Sequence, residues 1–177
     1  MNRNASVFIV DDDDAVRSSL RLLLKSVGLP AMAYASAGDF LAAWHPSQAG
    51  CLVLDVRMPG ISGLALFDRL IDKGLLAAIP VIFLTGHADV PTAVDAVKRG
   101  AFDFCEKPFS DNSLVDRVEQ ALQRSAQQLH AQQLQQSLTE LIDGLTERDW
   151  RRAHAALRDQ HQLLAQHPQQ PELYDCH

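Results

Sequence analysis

The sequence predicts an α/β fold, in which a doubly wound parallel sheet is followed by a C-terminal helical extension. Between residues 6 and 122, five apolar runs of four or five residues alternate with longer segments of helical period. Short, continuous apolar runs are typical of strands that are buried on both faces. Strands that alternate with helices pair in parallel, because each crossover returns the chain to the same end of the sheet. After residue 122 the composition changes sharply.

Each predicted strand coincides with one apolar run, and the runs occupy residues 7–10, 31–35, 51–54, 81–84 and 102–105. The predicted helices occupy residues 16–27, 40–44, 64–71, 93–97 and 114–122. The first helix is expected to end at Gly28, because a glycine followed closely by a proline, here Pro30, is a stop signal. Either Asp13 or Asp14 is expected to cap its beginning.

The composition excludes several classes of protein. The chain of 177 residues carries 16 Lys+Arg against 22 Asp+Glu, a net charge of −6, which argues against attachment to nucleic acid by bulk electrostatics. Its 3 cysteines have no metal-ligand spacing, so a disulfide framework or zinc site is not expected. The sequence has neither the pattern of a signal peptide nor an apolar run of membrane-spanning length, and a cytoplasmic location is expected.

Residues 123–177 form a second compositional region, with 12 Gln, no Lys and no Phe. Four leucines recur there at spacings of four, three and four, the seam of a coiled coil: Leu134, Leu138, Leu141 and Leu145. The alternative is a helix that lies on its own domain. We therefore expect a domain at residues 1–122, a helical linker that could form a coiled coil at 123–166, and a flexible tail at 167–177.

Polar residues follow the predicted strands at the point where each strand ends. Asp11 and Asp12 follow the first strand, Asp55 the third, Thr85 the fourth, and Lys107 lies just beyond the fifth. In open parallel sheets this edge is where ligands bind. Converging carboxylates repel one another unless a cation neutralises them, and Mg²⁺ prefers oxygen ligands.

These residue types suit a phosphoryl-transfer site. A metal and a lysine would offset charge on the transferring group, a hydroxyl would donate a hydrogen bond, and one carboxylate could be the nucleophile. Each residue has a simpler interpretation when it is taken alone. An aspartate after a strand often caps the next helix, a lysine before a proline is often only solvated, and Thr85-Gly86 could be a plain turn. Their joint placement favours the site.

Four stretches together resemble the receiver domain of two-component response regulators, most closely the FixJ-type branch of the NarL/FixJ family. They are Val-Asp-Asp-Asp-Asp at 10–14, Leu-Asp-Val-Arg-Met-Pro-Gly at 54–60, Leu-Thr-Gly-His-Ala-Asp-Val-Pro at 84–91 and Phe-Asp-Phe-Cys-Glu-Lys-Pro-Phe at 102–109. The resemblance covers residues 6 to about 124. It implies a flavodoxin-like (βα)5 fold with strand order 2-1-3-4-5, an order that is inherited from the family.

The resemblance also implies the site. Asp55 is then the phospho-acceptor, which takes its phosphoryl group from a sensor histidine kinase or a small phosphodonor. Asp12 and Asp55 would bind Mg²⁺ (or Mn²⁺) through their side chains, Arg57 through its backbone carbonyl, and Asp11 through water. Lys107 would pair first with Asp55 and then with the phosphoryl group.

Further residues are implied to switch or tune the domain. The bond from Lys107 to Pro108 is expected to be cis. Thr85 would follow the phosphoryl oxygen, and Phe104 would rotate inward behind it, although a core aromatic is the simpler interpretation of Phe104. Arg57 and His87 would tune the rate of phosphate loss, and a solvent-facing loop histidine is the alternative for His87.

The resemblance implies a phosphorylation-dependent homodimer through residues 90–122 (helix four, strand five and helix five), to which the C-terminal helix could add. Relatives of this branch carry a helix-turn-helix output domain after the receiver. Residues 146–177 contain 4 Arg, no Lys and 5 Asp+Glu, so we expect that domain to be truncated or absent and expect no DNA binding from this chain alone. The fragment Leu-Thr-Glu-Arg at 145–148 is either a vestige or a chance helix start.

The predicted function is that of a phosphorelay response regulator, which is no enzyme beyond its own phosphorylation and, at most, autophosphatase activity. One alternative is a transcriptional regulator that binds DNA through a reduced C-terminal region. An alternative of another class is a Mg²⁺-dependent phosphohydrolase. The haloacid-dehalogenase pattern is disfavoured because it needs a second aspartate where Arg57 stands, and a nucleotide site is disfavoured because no glycine-rich loop follows the first strand.

Overall fold

The computed structural model describes residues 5–86, 89–144, 149–152 and 154–158. It divides the chain into two compact units, Met1–Gln132 and Gln133–His177. Strands and helices alternate along the chain in this order: β1 (Ser6–Val10), α1 (Asp14–Ser26), β2 (Ala31–Tyr34), α2 (Ala37–Ala43), β3 (Gly50–Asp55), α3 (Gly63–Asp72), β4 (Val81–Thr85), α4 (Val90–Lys98), β5 (Asp103–Glu106) and α5 (Asp111–Asp143).

The five strands form one parallel sheet in the order β2-β1-β3-β4-β5. This confirms the predicted fold and strand order. The register aligns the carboxyl ends of the central strands, with Val10 opposite Leu54 and Asp55 opposite Leu84. Residues that follow β1, β3 and β4 are therefore brought to one edge of the sheet.

Alternate residues of each strand face opposite sides of the sheet and belong to two separate cores. Val7 and Ile9 of β1 pack with α1 and α5, whereas Phe8 and Val10 pack with α2, α3 and α4. The three central strands are buried on both faces, as predicted, but the edge strands β2 and β5 are partly exposed. An edge strand has a neighbour on one side only, which explains the difference.

The helix ends follow local capping signals. Asp13 is the N-cap of α1, where its side chain accepts a hydrogen bond of 2.8 Å from the Ala15 N–H, and this selects one of the two predicted caps. Gly28 ends the same helix with a φ of +77°, a conformation that favours glycine. Helix α2 begins three residues before its predicted start at residue 40, because Ser36 caps it with an oxygen that accepts from the Asp39 N–H.

Helix α5 is 33 residues long and runs from the predicted fifth helix, at residues 114–122, into the region where a helical linker was expected. Its first part is anchored by Ser125, a fully buried residue whose hydroxyl donates to the Ala78 carbonyl and accepts from the Gly50 N–H. Leu129, one turn further, packs against the core that α1 and α5 share. The domain boundary at residue 122 stays a prediction. The flexible tail at residues 167–177 also stays a prediction, because residues 159–177 lie outside the described residues.

Within the second unit, the leucines of the predicted seam are exposed: Leu134 by 53%, Leu138 by 59% and Leu141 by 69%. Residues 149–152 and 154–158 are helical, and the Trp150 ring stacks on the His154 ring at 4.9 Å. The fragment at residues 145–148 lies outside the described residues. No helix in the described part of the chain is both long enough and apolar enough to span a membrane.

Candidate functional site

Three charged side chains meet at the carboxyl edge of the sheet. The Lys107 ammonium donates to Asp55 Oδ1 at 2.7 Å and to Asp11 Oδ2 at 3.1 Å. Asp11 is 1% exposed and Asp55 is 8% exposed, so the ammonium bridges two carboxylates that are almost removed from water. Charge-assisted hydrogen bonds of this length are among the stronger polar contacts in proteins.

The backbone places each member of this cluster. Asp55 is the last residue of β3, Asp11 directly follows β1, and Lys107 directly follows β5. The Arg57 N–H donates to Asp55 Oδ2 at 2.8 Å, which fixes the second oxygen of that carboxylate. The Lys107 N–H donates to the Thr85 carbonyl at 2.8 Å, and the peptide bond that follows Lys107 is cis, as the resemblance implies.

The charges at the site are out of balance. Burial raises the pKa of Asp55, and the nearby Asp11 raises it further, while the hydrogen bond and attraction from Lys107 and the Arg57 N–H act to lower it. Burial alone would lower the pKa of Lys107, but its bonds to Asp55 and Asp11 outweigh that effect and raise it. Two carboxylates share one ammonium, so the ionised site is negative and would attract a cation.

The donor set suits a hard cation. The Asp11 and Asp55 carboxylates, which meet at Lys107, offer oxygen, the ligand that Mg²⁺ prefers. Asp12, predicted as a direct ligand, is exposed next to Asp11. Among the described residues, no group of three or more His, Cys, Asp or Glu side chains is arranged closely enough to hold a metal by itself. The site therefore fits a cation through its charge and its oxygen atoms.

Thr85 and Phe104 lie near this edge. Thr85 is fully buried at the end of β4, and its hydroxyl donates to the Gly86 carbonyl at 3.1 Å. Phe104 is partly buried and packs against the core on the side of α2, α3 and α4. The core-aromatic interpretation describes Phe104 in this state, and its rotation stays a prediction.

The Arg57 side chain points to another partner. Its guanidinium binds the Asp89 carboxylate through three hydrogen bonds, of 2.9 and 2.7 Å from Nε and 2.6 Å from Nη2. Asp89 precedes α4 and is 14% exposed, whereas Arg57 is 74% exposed. His87, the other predicted tuning residue, lies outside the described residues.

Sequence reasoning missed two residues that shape the site. Gly63, the first residue of α3, lies so close to the Asp55 carbonyl that a Cβ atom there would overlap it. The only signal is its place directly after Ser62, the residue that caps α3. Arg17, on the second turn of α1, donates to the Asp11 carbonyl at 2.8 Å, and its spacing from the acidic run is the only trace in the sequence.

Comparison with known proteins agrees with this geometry. Residues 7–119 match the family model described as the response regulator receiver domain. The chain is 47% identical over 149 residues to the transcriptional regulatory protein FixJ of Azorhizobium caulinodans, a match that covers 84% of this chain and 70% of FixJ. It is 52% identical over 111 residues to the C4-dicarboxylate transport transcriptional regulatory protein DctR of Rhodobacter capsulatus, covering 63% of this chain and 56% of DctR.

A solved structure gives a similar result. The response regulator StyR aligns with a TM-score of 0.79 and 41% identity, covering 88% of this chain and 77% of that chain. Against DctR, the chain spans little more than half the length of its relative.

Proposed function

This chain belongs to the response regulator receiver family, and we propose that Asp55 is the residue at which it accepts a phosphoryl group from a sensor histidine kinase. The observation that carries the proposal is the contact of 2.7 Å between the Lys107 ammonium and Asp55 Oδ1 at the carboxyl end of β3. In such a pair the carboxylate can act as the nucleophile, and the adjacent ammonium offsets the negative charge of the phosphoryl oxygens.

The transfer is a displacement at phosphorus. A carboxylate oxygen of Asp55 forms a bond to phosphorus while the bond between phosphorus and the kinase histidine nitrogen breaks, and the histidine keeps the electron pair of that bond. Asp55 must be ionised to attack, although burial raises its pKa. The Lys107 ammonium and the Arg57 N–H favour the ionised form by donating to its two oxygens.

Asp11, Asp12, Asp55 and the Arg57 carbonyl are the groups that would hold Mg²⁺. When bound, the metal would offset negative charge on the phosphoryl oxygens. Lys107 serves the same purpose from the side of β5, first against Asp55 and then against the phosphoryl group.

We propose that the modified site shifts the domain between two packings through Thr85 and Phe104. Thr85 stands at the end of β4, where its hydroxyl could turn from the Gly86 carbonyl to a phosphoryl oxygen. Phe104, paired in register with Phe83, would move further into the space that Thr85 leaves. Such a shift is biased by the charge of one modification.

Family membership favours a signalling protein over a Mg²⁺-dependent phosphohydrolase. The most that we expect of the site as a catalyst is autophosphatase activity, the removal of its own phosphoryl group.

The relatives FixJ and DctR are named as transcriptional regulatory proteins. We propose that the role of the regulator is transcriptional control in the cytoplasm. Whether this chain binds DNA itself is tested by measuring its affinity for duplex DNA at two salt concentrations. A genuine DNA binder loses affinity steeply as salt rises.

We also propose a homodimer, through α4, β5 and α5, through the exposed leucines of the C-terminal helix, or through both. Leu138 and Val94 are exposed by 59% and 38%, on the C-terminal part of α5 and on α4 respectively. Mass in solution with and without beryllofluoride, for the wild type, Leu138→Gln and Val94→Gln, separates the two surfaces. A wild type that stays monomeric in both conditions would refute the dimer.

The phosphorylation itself is tested by incubating the protein with Mg²⁺ and acetyl phosphate and measuring intact mass. The wild type should gain one phosphoryl group, and Asp55→Asn should gain none. Asp72→Asn is the matched control, because Asp72 is exposed at the end of α3. An adduct of equal yield on Asp55→Asn would contradict the proposal.

A further inference from the structure

Arg17 ties together the two ends of the acidic run at residues 11–14. Its Nη1 donates to the Asp11 backbone carbonyl at 2.8 Å, and its Nη2 donates to Asp14 Oδ1 at 2.9 Å. The Arg17 side chain is only 16% exposed, although it lies on α1 near the surface and its partner Asp14 is 87% exposed. The guanidinium is therefore packed beside the loop between β1 and α1.

With this contact, each polar group of Asp11 has a hydrogen-bond partner. Its N–H donates to the Tyr34 carbonyl at 3.3 Å, its Oδ1 accepts from the Asp13 N–H at 2.9 Å, and its Oδ2 accepts from Lys107 at 3.1 Å. The carbonyl, held by Arg17, is the remaining polar group of the residue. That carbonyl belongs to the peptide unit that joins Asp11 to Asp12, so Arg17 fixes the backbone that carries both carboxylates.

We infer that Arg17 is a positioning residue for cation binding, because its forked guanidinium holds the Asp11–Asp12 peptide in the arrangement that presents both carboxylates to a divalent metal. The inference rests on the proposed function, in which these carboxylates hold Mg²⁺. A residue that holds a ligand-bearing group typically changes metal affinity by about 10- to 100-fold when it is removed.

The charge of Arg17 and its contacts predict opposite effects on metal affinity when the residue is removed. As a bare positive charge beside the acidic run, Arg17 repels a divalent cation, and its removal would strengthen metal binding. As a positioning group it supports binding, and its removal would weaken it. Arg17→Lys separates the two further, since lysine keeps the charge but loses the planar fork that reaches two acceptors at once.

The experiment measures Mn²⁺ affinity of the full chain, without phosphodonor, from the loss of the free Mn²⁺ signal in electron paramagnetic resonance. We expect Arg17→Gln to bind Mn²⁺ about 10-fold more weakly or worse, and Arg17→Lys to be weakened as well. Arg21→Gln is the control: Arg21 is exposed one turn further along α1 and loses the same charge. Its affinity should stay within about twofold of the wild type, since exposed charges are screened.

Unchanged or tighter Mn²⁺ binding by Arg17→Gln would overturn the inference, as would full wild-type affinity in Arg17→Lys. If Arg17→Gln fails to fold, as judged by its thermal unfolding, Arg17→Lys and Asp14→Asn decide. Asp14→Asn weakens one of the two arms and should lower affinity less than Arg17→Lys does; a larger loss would contradict the positioning role. A wild type that binds no Mn²⁺ would refute the metal site itself, whereas normal binding that ignores Arg17 would refute only this inference.

Discussion

Arg57 and Asp89 form a bidentate ion pair that joins the loop after β3 to the beginning of α4. Arg57 stands two residues after the proposed phospho-acceptor, and Asp89 stands four residues after Thr85. The pair therefore joins the segment that follows β3 to the beginning of α4, the helix that comes after β4. Asp89 also neutralises the charge of Arg57, the arginine that lies nearest in sequence to Asp55.

Replacing Asp89 should prolong the life of the aspartyl phosphate. In Asp89→Asn the Arg57 guanidinium loses its counter-charge and is free to offset the charge of a phosphoryl group on Asp55. We expect a several-fold longer half-life, measured by the decay of intact-mass adducts after acetyl phosphate is removed. The effect should vanish when Arg57 is also Gln, because the two residues act as a pair. A lengthening that persists in the double variant would contradict this explanation.

Removing the Lys107 charge should destabilise the protein in a manner that depends on pH. In Lys107→Met the Asp11 and Asp55 carboxylates lose the cation that lies between them. We expect a loss of about 1–3 kcal/mol in the free energy of unfolding at pH 7. This is less than for a fully buried pair, because the Lys107 side chain is 31% exposed. The loss should shrink below about pH 4, where carboxylates are protonated. Urea denaturation at the two pH values measures both, and an equal loss at each would exclude repulsion as the cause.

Asp55→Asn should raise Tm by a few degrees at pH 7. Burial raises the pKa of Asp55 in the folded state, so the folded protein binds this proton more tightly than the unfolded chain does. Stability from this group is therefore present below the unfolded pKa, about 4, and is lost as pH rises through the raised folded value. The gain in Asp55→Asn should disappear on acidification below about pH 4. Calorimetry at several pH values tests this, and a gain independent of pH would contradict it.

Any side chain at residue 63 should disturb the acceptor strand. The Cβ atom of Gly63→Ala would overlap the Asp55 carbonyl, so we expect a loss of about 1–3 kcal/mol in unfolding free energy and slower phosphorylation. Gly38→Ala is the matched control, since Gly38 lies in the first turn of α2 with ordinary space for a Cβ atom. That control should be neutral or stabilised by up to about 1 kcal/mol. Equal stability of the two variants would refute the close approach.

Local sequence patterns predicted most of the sheet. The apolar runs of β1, β3 and β4 fall within one residue of the observed strands, because each run is long enough to fill a buried strand. The polar residues that end these runs, Asp11 and Asp55, are the ones that converge on Lys107. Strand-end chemistry is readable because parallel topology brings all carboxyl ends to one edge.

Contacts between distant loops could not be predicted in the same way. The Arg57–Asp89 pair joins residues 32 apart, and no periodicity marks either partner. The role of Gly63 depends on a backbone approach that only the fold creates. The absence of Gly and Pro from residues 111–143 permits one continuous helix, in which the predicted fifth helix and the first part of the expected helical linker are joined.

Locating the phosphoryl group on the chain tests most directly whether Asp55 is the phospho-acceptor. After phosphorylation with acetyl phosphate and Mg²⁺, borohydride reduces an aspartyl phosphate to homoserine, and peptide mass spectrometry then identifies the residue. We predict homoserine at position 55, in the peptide that contains the end of β3, with Asp11 and Asp12 unchanged. Homoserine at position 11 or 12, or at no position, would contradict it.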